Sequence, residues 1–293
     1  MQKFLLFILK MLILTVFIAV ALDILYTAVY LESNKREKID YVYNSKARTY
    51  DVVFLGSSRA NNHFVAQMFE DKGLKTFNYG ISGSHLFESA LLLKLMEERH
   101  YKIKNLILEV DLNLANENRA DGITAKLAPY IHDSKIVMNH LSNEKDFYSL
   151  YYIPFYRYIK FDSRIGFREI YNTVIQKRTN NLDNLGFYAL GKKPNANMKN
   201  NIVKLNPLPH NKYYEEIKQL CKDNNINLIA VMTPMCENTK GINYFDKVKA
   251  LYPEIHNYEN VVVEDKYFSS CGHMNNAGAR LFTTRILKDF FNK

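Results

Sequence analysis

Three hydrophobic patterns follow one another along the chain. From Phe4 to Leu31 the residues are apolar except for Lys10, Thr15, Asp23 and Thr27. As a helix this stretch is about 42 Å long, more than the ~30 Å of a hydrocarbon layer, so the pattern predicts a transmembrane anchor over 4–31. Ala19-Val20-Ala21 also fits a signal-peptide cleavage site, but the apolar run continues ten residues past it, to Leu31, which favours a retained anchor. With Lys3 and Lys10 towards the cytoplasm, the amino terminus is expected inside and the remainder outside, a single pass through a cytoplasmic membrane.

Residues 32–50 are charged and carry no core signal, as expected of a linker. The second pattern then begins. Five short runs, Asp51–Ser58, Thr76–Gly80, Asn105–Asp111, Asn227–Pro234 and Asn260–Asp265, are nearly continuous apolar segments, the mark of strands buried on both faces. Helical patterns lie between most of them, at 85–100, 212–225 and in the last segment, from Asn275 onward. Strands alternating with helices predict βαβ units, a parallel sheet of about five strands and a three-layer α/β/α domain over 51–293. Ligands of such sheets bind beyond the carboxyl ends of the strands.

Residues 112 to about 205 break that rhythm and form the third pattern, a helical insertion. Within it, residues 147–161 are aromatic at eight of fifteen positions. That density suits the core of a small helical subdomain, with a substrate groove or a membrane-interface contact as the alternatives.

Composition narrows the function classes. The chain has 293 residues, 47% of them hydrophobic and 24% charged, which describes a folded protein and not a disordered one. A net charge of +9 suits an anionic partner. The basic residues are scattered and no nucleic-acid motif is present, so nucleic acid is not expected. Cys221, Cys236 and Cys271 contain no C-x-x-C pair, and no metal site or organic cofactor is expected.

Candidate chemistry gathers at the strand ends. Ser57-Ser58 follows the first strand, NYGISGS (78–84) the second and DLN (111–113) the third, while CGHMNNAGAR (271–280) precedes the last helix. A serine becomes a nucleophile when a neutral histidine takes its proton. At a strand-to-helix turn, its backbone N–H is also available to an oxyanion. The G-x-S-x-G elbow is absent. His63 and His85 each lie shortly after a strand end and read as ordinary loop or helix residues, and Asn276 as a helix-start residue.

These four segments, in this order, resemble the blocks of the SGNH (GDSL-like) hydrolase superfamily, whose fold is flavodoxin-like. FLGSSRA is similar to the first block, with Ser58 in the nucleophile position and Ser57 replacing an aspartate. NYGISGS is similar to the second, making Gly83, or failing that Gly80, the oxyanion donor. DLN stands for the third block and offers Asn113. HMNNAGA is similar to the last, with His273 as the base. Ser270 occupies the position where the family usually has aspartate, three residues before the histidine, and the nearest carboxylates are Glu264 and Asp265. The resemblance implies a Ser58–His273 site. Arg59, by its position beside the serine, reads as a contact for an anionic substrate group or as a surface residue of the helix. Cys236 and Cys271 would share the sheet's carboxyl edge, where a disulfide would pin the histidine loop if the domain faces an oxidising compartment.

The GSSR form, the single span and the outward-facing domain resemble a bacterial membrane-anchored subset. It contains relatives of the D-alanine transfer protein of teichoic-acid synthesis and of alginate-type O-acetyltransferases. That resemblance implies acyl transfer onto, or ester removal from, a cell-envelope glycan, alongside a multi-span membrane-bound O-acyltransferase. The alternative expectation is a catalytically silent glycan-binding or scaffold protein with the same cleft.

Overall fold

A computed structural model describes residues 1–33, 36–192, 205–236 and 243–292. The part of the expected insertion at 193–204 lies outside the described residues. The chain divides into two compact units, one formed by 1–44 with 121–178, the other by 45–120 with 179–293.

The larger unit holds a five-stranded sheet of β1 (Thr49–Leu55), β2 (Thr76–Asn78), β3 (Lys102–Glu109), β4 (Asn227–Met232) and β5 (His256–Asn257). The order is β2-β1-β3-β4-β5 and every pair is parallel, the flavodoxin-like arrangement. Val52, Phe54, Ile107, Ile229 and Val231 face one side, in a core shared with Phe64, Phe282 and Ile286. The alternate residues Val53, Leu55, Leu106 and Leu108 are equally buried, so period 2 places them in the opposite layer. Helix Asn276–Phe290 packs with helix Ser58–His63, and helix Leu86–Glu98 packs with helix Lys212–Asp223. The apolar runs thus become a sheet covered by helices, as the alternation predicts.

The fifth strand is a correction. Asn260–Asp265 forms turns, and the edge strand is the earlier pair His256–Asn257, opposite Val231 and Met232. The Val261–Val263 run misleads because only Val262 enters the core, while Val261 is 40% exposed.

The smaller unit gathers the long amino-terminal helix Gln2–Glu32, a short helix Lys38–Tyr43 and the helices of 121–178. Residues 38–43 are not bare linker: Ile39, Val42 and Tyr43 are buried, Tyr43 stacks on Tyr130 at 3.8 Å, and the Tyr130 hydroxyl donates to Asp40 at 2.9 Å. The 147–161 stretch contributes buried Leu150 and Tyr158 to this unit while leaving Tyr148 and Tyr152 exposed.

Since β1 and β3 are neighbours whose connections leave in opposite directions along the sheet, their carboxyl ends border the switch point where such sheets bind ligands. Gly56 makes the turn there. Its φ is +139°, and an added Cβ would lie 2.7 Å from Glu109 Oε2, 2.8 Å from Glu109 Cβ and 2.9 Å from Ala60 Cβ. None of these neighbours is free to move, so Gly56→Ala is expected to destabilise the fold by about 2–4 kcal/mol. Denaturant unfolding of the full chain in detergent checks this; an unchanged midpoint would mean the turn relaxes.

Candidate active site

Ser57 and Ser58 follow Gly56. Ser57 is the N-cap of helix Ser58–His63, its hydroxyl accepting from Arg59 N at 3.2 Å. The same residue gives both its N–H and its O–H to Glu109 Oε2, each at 2.7 Å. These three bonds fix the turn, and Ser58 is left facing the other way. Ser58 Oγ lies 2.8 Å from Nε2 of His273, 215 residues along the chain. The two residues expected to carry the chemistry are therefore brought together.

His273 is delivered by an antiparallel hairpin, β6 (Phe268–Ser270) and β7 (His273–Met274). Three contacts hold that hairpin. Met274 N donates to His63 Nε2 at 3.1 Å, Asn275 N donates to Tyr267 O at 2.9 Å, and Cys236 is disulfide-bonded to Cys271, their Cα atoms 4.9 Å apart. Asn275 caps the following helix by accepting from Gly278 N, which makes Asn276 its first residue.

Ser270, standing where the resemblance leads one to look for aspartate, places its hydroxyl 3.3 Å from His273 Nδ1. The proton count follows from that contact. With Nδ1–H donating to Ser270 Oγ, Nε2 carries a lone pair and accepts from the Ser58 hydroxyl. Burial, helped by the charge of nearby Arg59, lowers the His273 pKa to about 4. At neutral pH the ring is an uncharged base. The histidinium formed on taking a proton has a hydroxyl, not a carboxylate, at Nδ1. Glu264 and Asp265 make no bond to it, and the Glu264 side chain pairs with Lys266 at 2.5 Å.

The second-block loop lies against the serine turn. Ile81 N and Ser84 Oγ donate to Gly56 O at 3.0 and 2.9 Å, and Asn61 Nδ2 donates to Ser82 Oγ at 3.4 Å. Gly83 is exposed, with φ +81° and nothing within 4 Å of where a Cβ would be. Among the described residues, the N–H groups of Gly83 and Ser58 have no protein partner. Gly80 is different, because its N–H donates to Asn78 Oδ1 at 2.9 Å and its missing Cβ lets Asn61 N approach. Of the two glycines, Gly83 alone has a donor to offer. Asn113 sits in the turn after β3 with Oδ1 3.1 Å from His85 Nδ1, leaving its NH₂ as the free end. His85 thus has a place near the third block, beyond that of a helix cap.

Arg59 does not face a substrate. It is 5% exposed and its guanidinium pairs with Asp111 while donating to Thr233 Oγ1, Thr233 O and Pro234 O at 2.9–3.0 Å. Asp111 in turn accepts from Thr233 N at 2.6 Å and Thr233 Oγ1 at 2.7 Å, and these bonds hold its backbone at the uncommon φ of +21°. Buried His63 places Nδ1 2.9 Å from Thr233 Oγ1, and burial together with Arg59 keeps its pKa well below the ordinary histidine value.

Glu109 is the residue that sequence reasoning missed. It is fully buried, and Oε1 has no hydrogen-bond partner. Desolvation and the proximity of Asp111 raise its pKa above the usual carboxylate range. The signal was present as two carboxylates, Glu109 and Asp111, at alternate positions ending an apolar strand.

Neither the protein-family models nor the curated proteins give a match for this chain. Among solved structures, one resembling it is a protein of Streptococcus pneumonia provisionally described as a platelet activating factor. The identity is 11% and the TM-score 0.39, over 98% of this chain and 99% of that one. A likeness at that level does not extend to chemistry.

The geometry sets a pH dependence. A neutral His273 is needed to take the Ser58 proton, so any ester turnover falls as pH drops through about 4 and is flat above it. Ser270→Asp puts a carboxylate at Nδ1, which raises the histidine pKa and stabilises the histidinium. The acid limb should then move to higher pH and the plateau rise by roughly tenfold. Profiles of kcat/KM against pH for the two proteins test this; an unmoved limb with an unchanged plateau would mean Ser270 does not face the working tautomer.

Proposed function

We propose that this chain is a membrane-anchored serine acyl-ester transferase or esterase of SGNH type, and that its acceptor or substrate is a cell-envelope glycan. The observation that carries the chemistry is the 2.8 Å contact between Ser58 Oγ and the neutral His273 Nε2. Ser58 attacks the acyl carbonyl as His273 takes its proton. The carbonyl oxygen gains the charge and is met by the N–H groups of Ser58 and Gly83, with the Asn113 amide as a third donor. His273 returns the proton to the leaving alcohol. A glycan hydroxyl or a water then attacks the acyl-enzyme, giving its proton to His273, which passes it to Ser58 Oγ as the acyl–oxygen bond breaks.

The glycan and envelope assignments rest on other support. The helix Gln2–Glu32 is long and apolar enough to cross a bilayer. Lys3 and Lys10 favour a cytoplasmic amino terminus, so the catalytic unit is extracytoplasmic, where the Cys236–Cys271 bond is stable. The net charge of +9 suits an anionic polymer, and a multi-span O-acyltransferase fits as the supplier of the acyl group. A second reading, a silent glycan-binding or scaffold partner with the same cleft, is favoured by one observation: Nδ1 of His273 faces a hydroxyl.

Turnover of a p-nitrophenyl acyl ester by the full chain in detergent separates the two. Ser58→Ala is expected to abolish it and His273→Ala to lower it by about 10³–10⁴-fold, the cost of losing one member of such a site. Wild-type turnover equal to that of both variants, with glycan binding intact in all three, would establish the scaffold.

A further inference from the structure

Within the unit formed by 1–44 and 121–178, one helix is oriented the wrong way round for contact with water. In helix Phe167–Val174, residues Phe167, Tyr171 and Val174 share a face and are 71%, 56% and 61% exposed. Glu169, on the other side, receives a hydrogen bond from buried Arg36 at 3.0 Å, while Arg168 stays exposed beside the apolar face. A helix bordering water has the opposite arrangement. The same unit exposes Tyr152 at 70%, Ile153 at 51% and Ile159 at 65%.

The amino-terminal helix supplies a depth reference. Asp23 pairs with Arg157 at 2.7 Å, and its other oxygen accepts from Phe155 N at 2.7 Å. Arg157 also donates to Thr27 at 2.9 Å and is 2% exposed. A charged pair inside hydrocarbon is costly, so this one marks where the hydrocarbon ends. Residues 4–22 alone form about 28 Å of helix, already close to the ~30 Å required. The rings of Phe155 and Tyr158 lie 4.9 and 5.1 Å from that of Tyr26, one turn beyond Asp23, in the manner of an interfacial aromatic belt. Tyr152 and Ile153 are within three residues of Phe155, hence at most about 10 Å from it.

We infer that this unit is a membrane-seated collar. The bilayer is crossed by residues 4–22 and its outer surface lies at Asp23–Arg157. The exposed apolar faces of 152–159 and 167–174 sit in the headgroup and upper acyl region. Exposed Arg164 and Arg168, beside them in the chain, suit anionic headgroups. Residues 23–31, which composition alone counts as part of the span, are then clasped by protein at the interface. The inference rests on the anchored reading but not on the ester chemistry.

The test uses full-length protein in nanodiscs, with an environment-sensitive fluorophore on single added cysteines. Cys221 is buried and Cys236–Cys271 is bonded, so labelling is confined to the added site. Tyr152→Cys, Phe167→Cys and Tyr171→Cys report on the collar and Leu12→Cys on the span. Lipids carrying a shallow nitroxide are expected to quench the collar positions and a deep nitroxide to quench Leu12. Leu12 quenched with collar positions reached only by aqueous iodide would overturn the collar and leave the anchor standing. Collar positions reached by neither quencher would mean that protein covers this face, another copy or another chain, and would also overturn it. An unquenched Leu12 would remove the anchor and the collar together.

Discussion

The alignment of this site depends on one buried ion pair. Arg59, the second residue of the helix after β1, meets Asp111, just beyond β3, and both bind Thr233, just beyond β4. Three adjacent strands are thereby tied at their carboxyl ends, where a parallel sheet has no hydrogen bonds of its own to hold the loops. Both charges are nearly fully buried, so removing either partner would leave the other uncompensated at a cost of several kcal/mol. The strained Asp111 backbone and the seat of His63 both follow from that knot, while Glu109 holds the serine turn beside it. His63 extends it to the histidine hairpin by accepting from Met274 N.

The knot also fixes the electrostatics. Burial, with the Arg59 charge adding to it, lowers the pKa of both His63 and His273, while burial and then the charge of Asp111 raise that of Glu109, against the opposing pull of Arg59. The candidate nucleophile therefore has an uncharged base beside it, while the Arg59–Asp111 pair is buried. That arrangement supplies a base readily but stabilises the histidinium poorly, because Ser270 offers only a hydroxyl. The disulfide ties the histidine hairpin at Cys271, and it adds no charge at Nδ1.

Much of this was legible in the sequence, for physical reasons that also explain what was not. Four strands declared themselves because burial on both faces demands continuous apolar runs. The fifth is two residues long and carries no such run, so the nearby valines took its place in the reading. Ser58 and His273 could be paired because each occupies a strand-end or helix-start position that a parallel sheet brings to one edge. The partner of Arg59 is not legible because position beside a nucleophile does not say which way a side chain turns, and Asp111 stands in the sequence only as the first residue of DLN. Residues 38–43 hid a buried face, Ile39, Val42 and Tyr43 at helical spacing, behind a run of charges.

The central claim is that Ser58 is activated by its own neutral histidine. Its most direct test is to treat the full-length protein in membranes with a fluorophosphonate at neutral pH and map the adduct by tandem mass spectrometry. The account predicts a single phosphonylated residue, Ser58, and none when His273 is replaced by alanine. A folded protein with no adduct, or with the adduct on Ser57 or elsewhere, would contradict it.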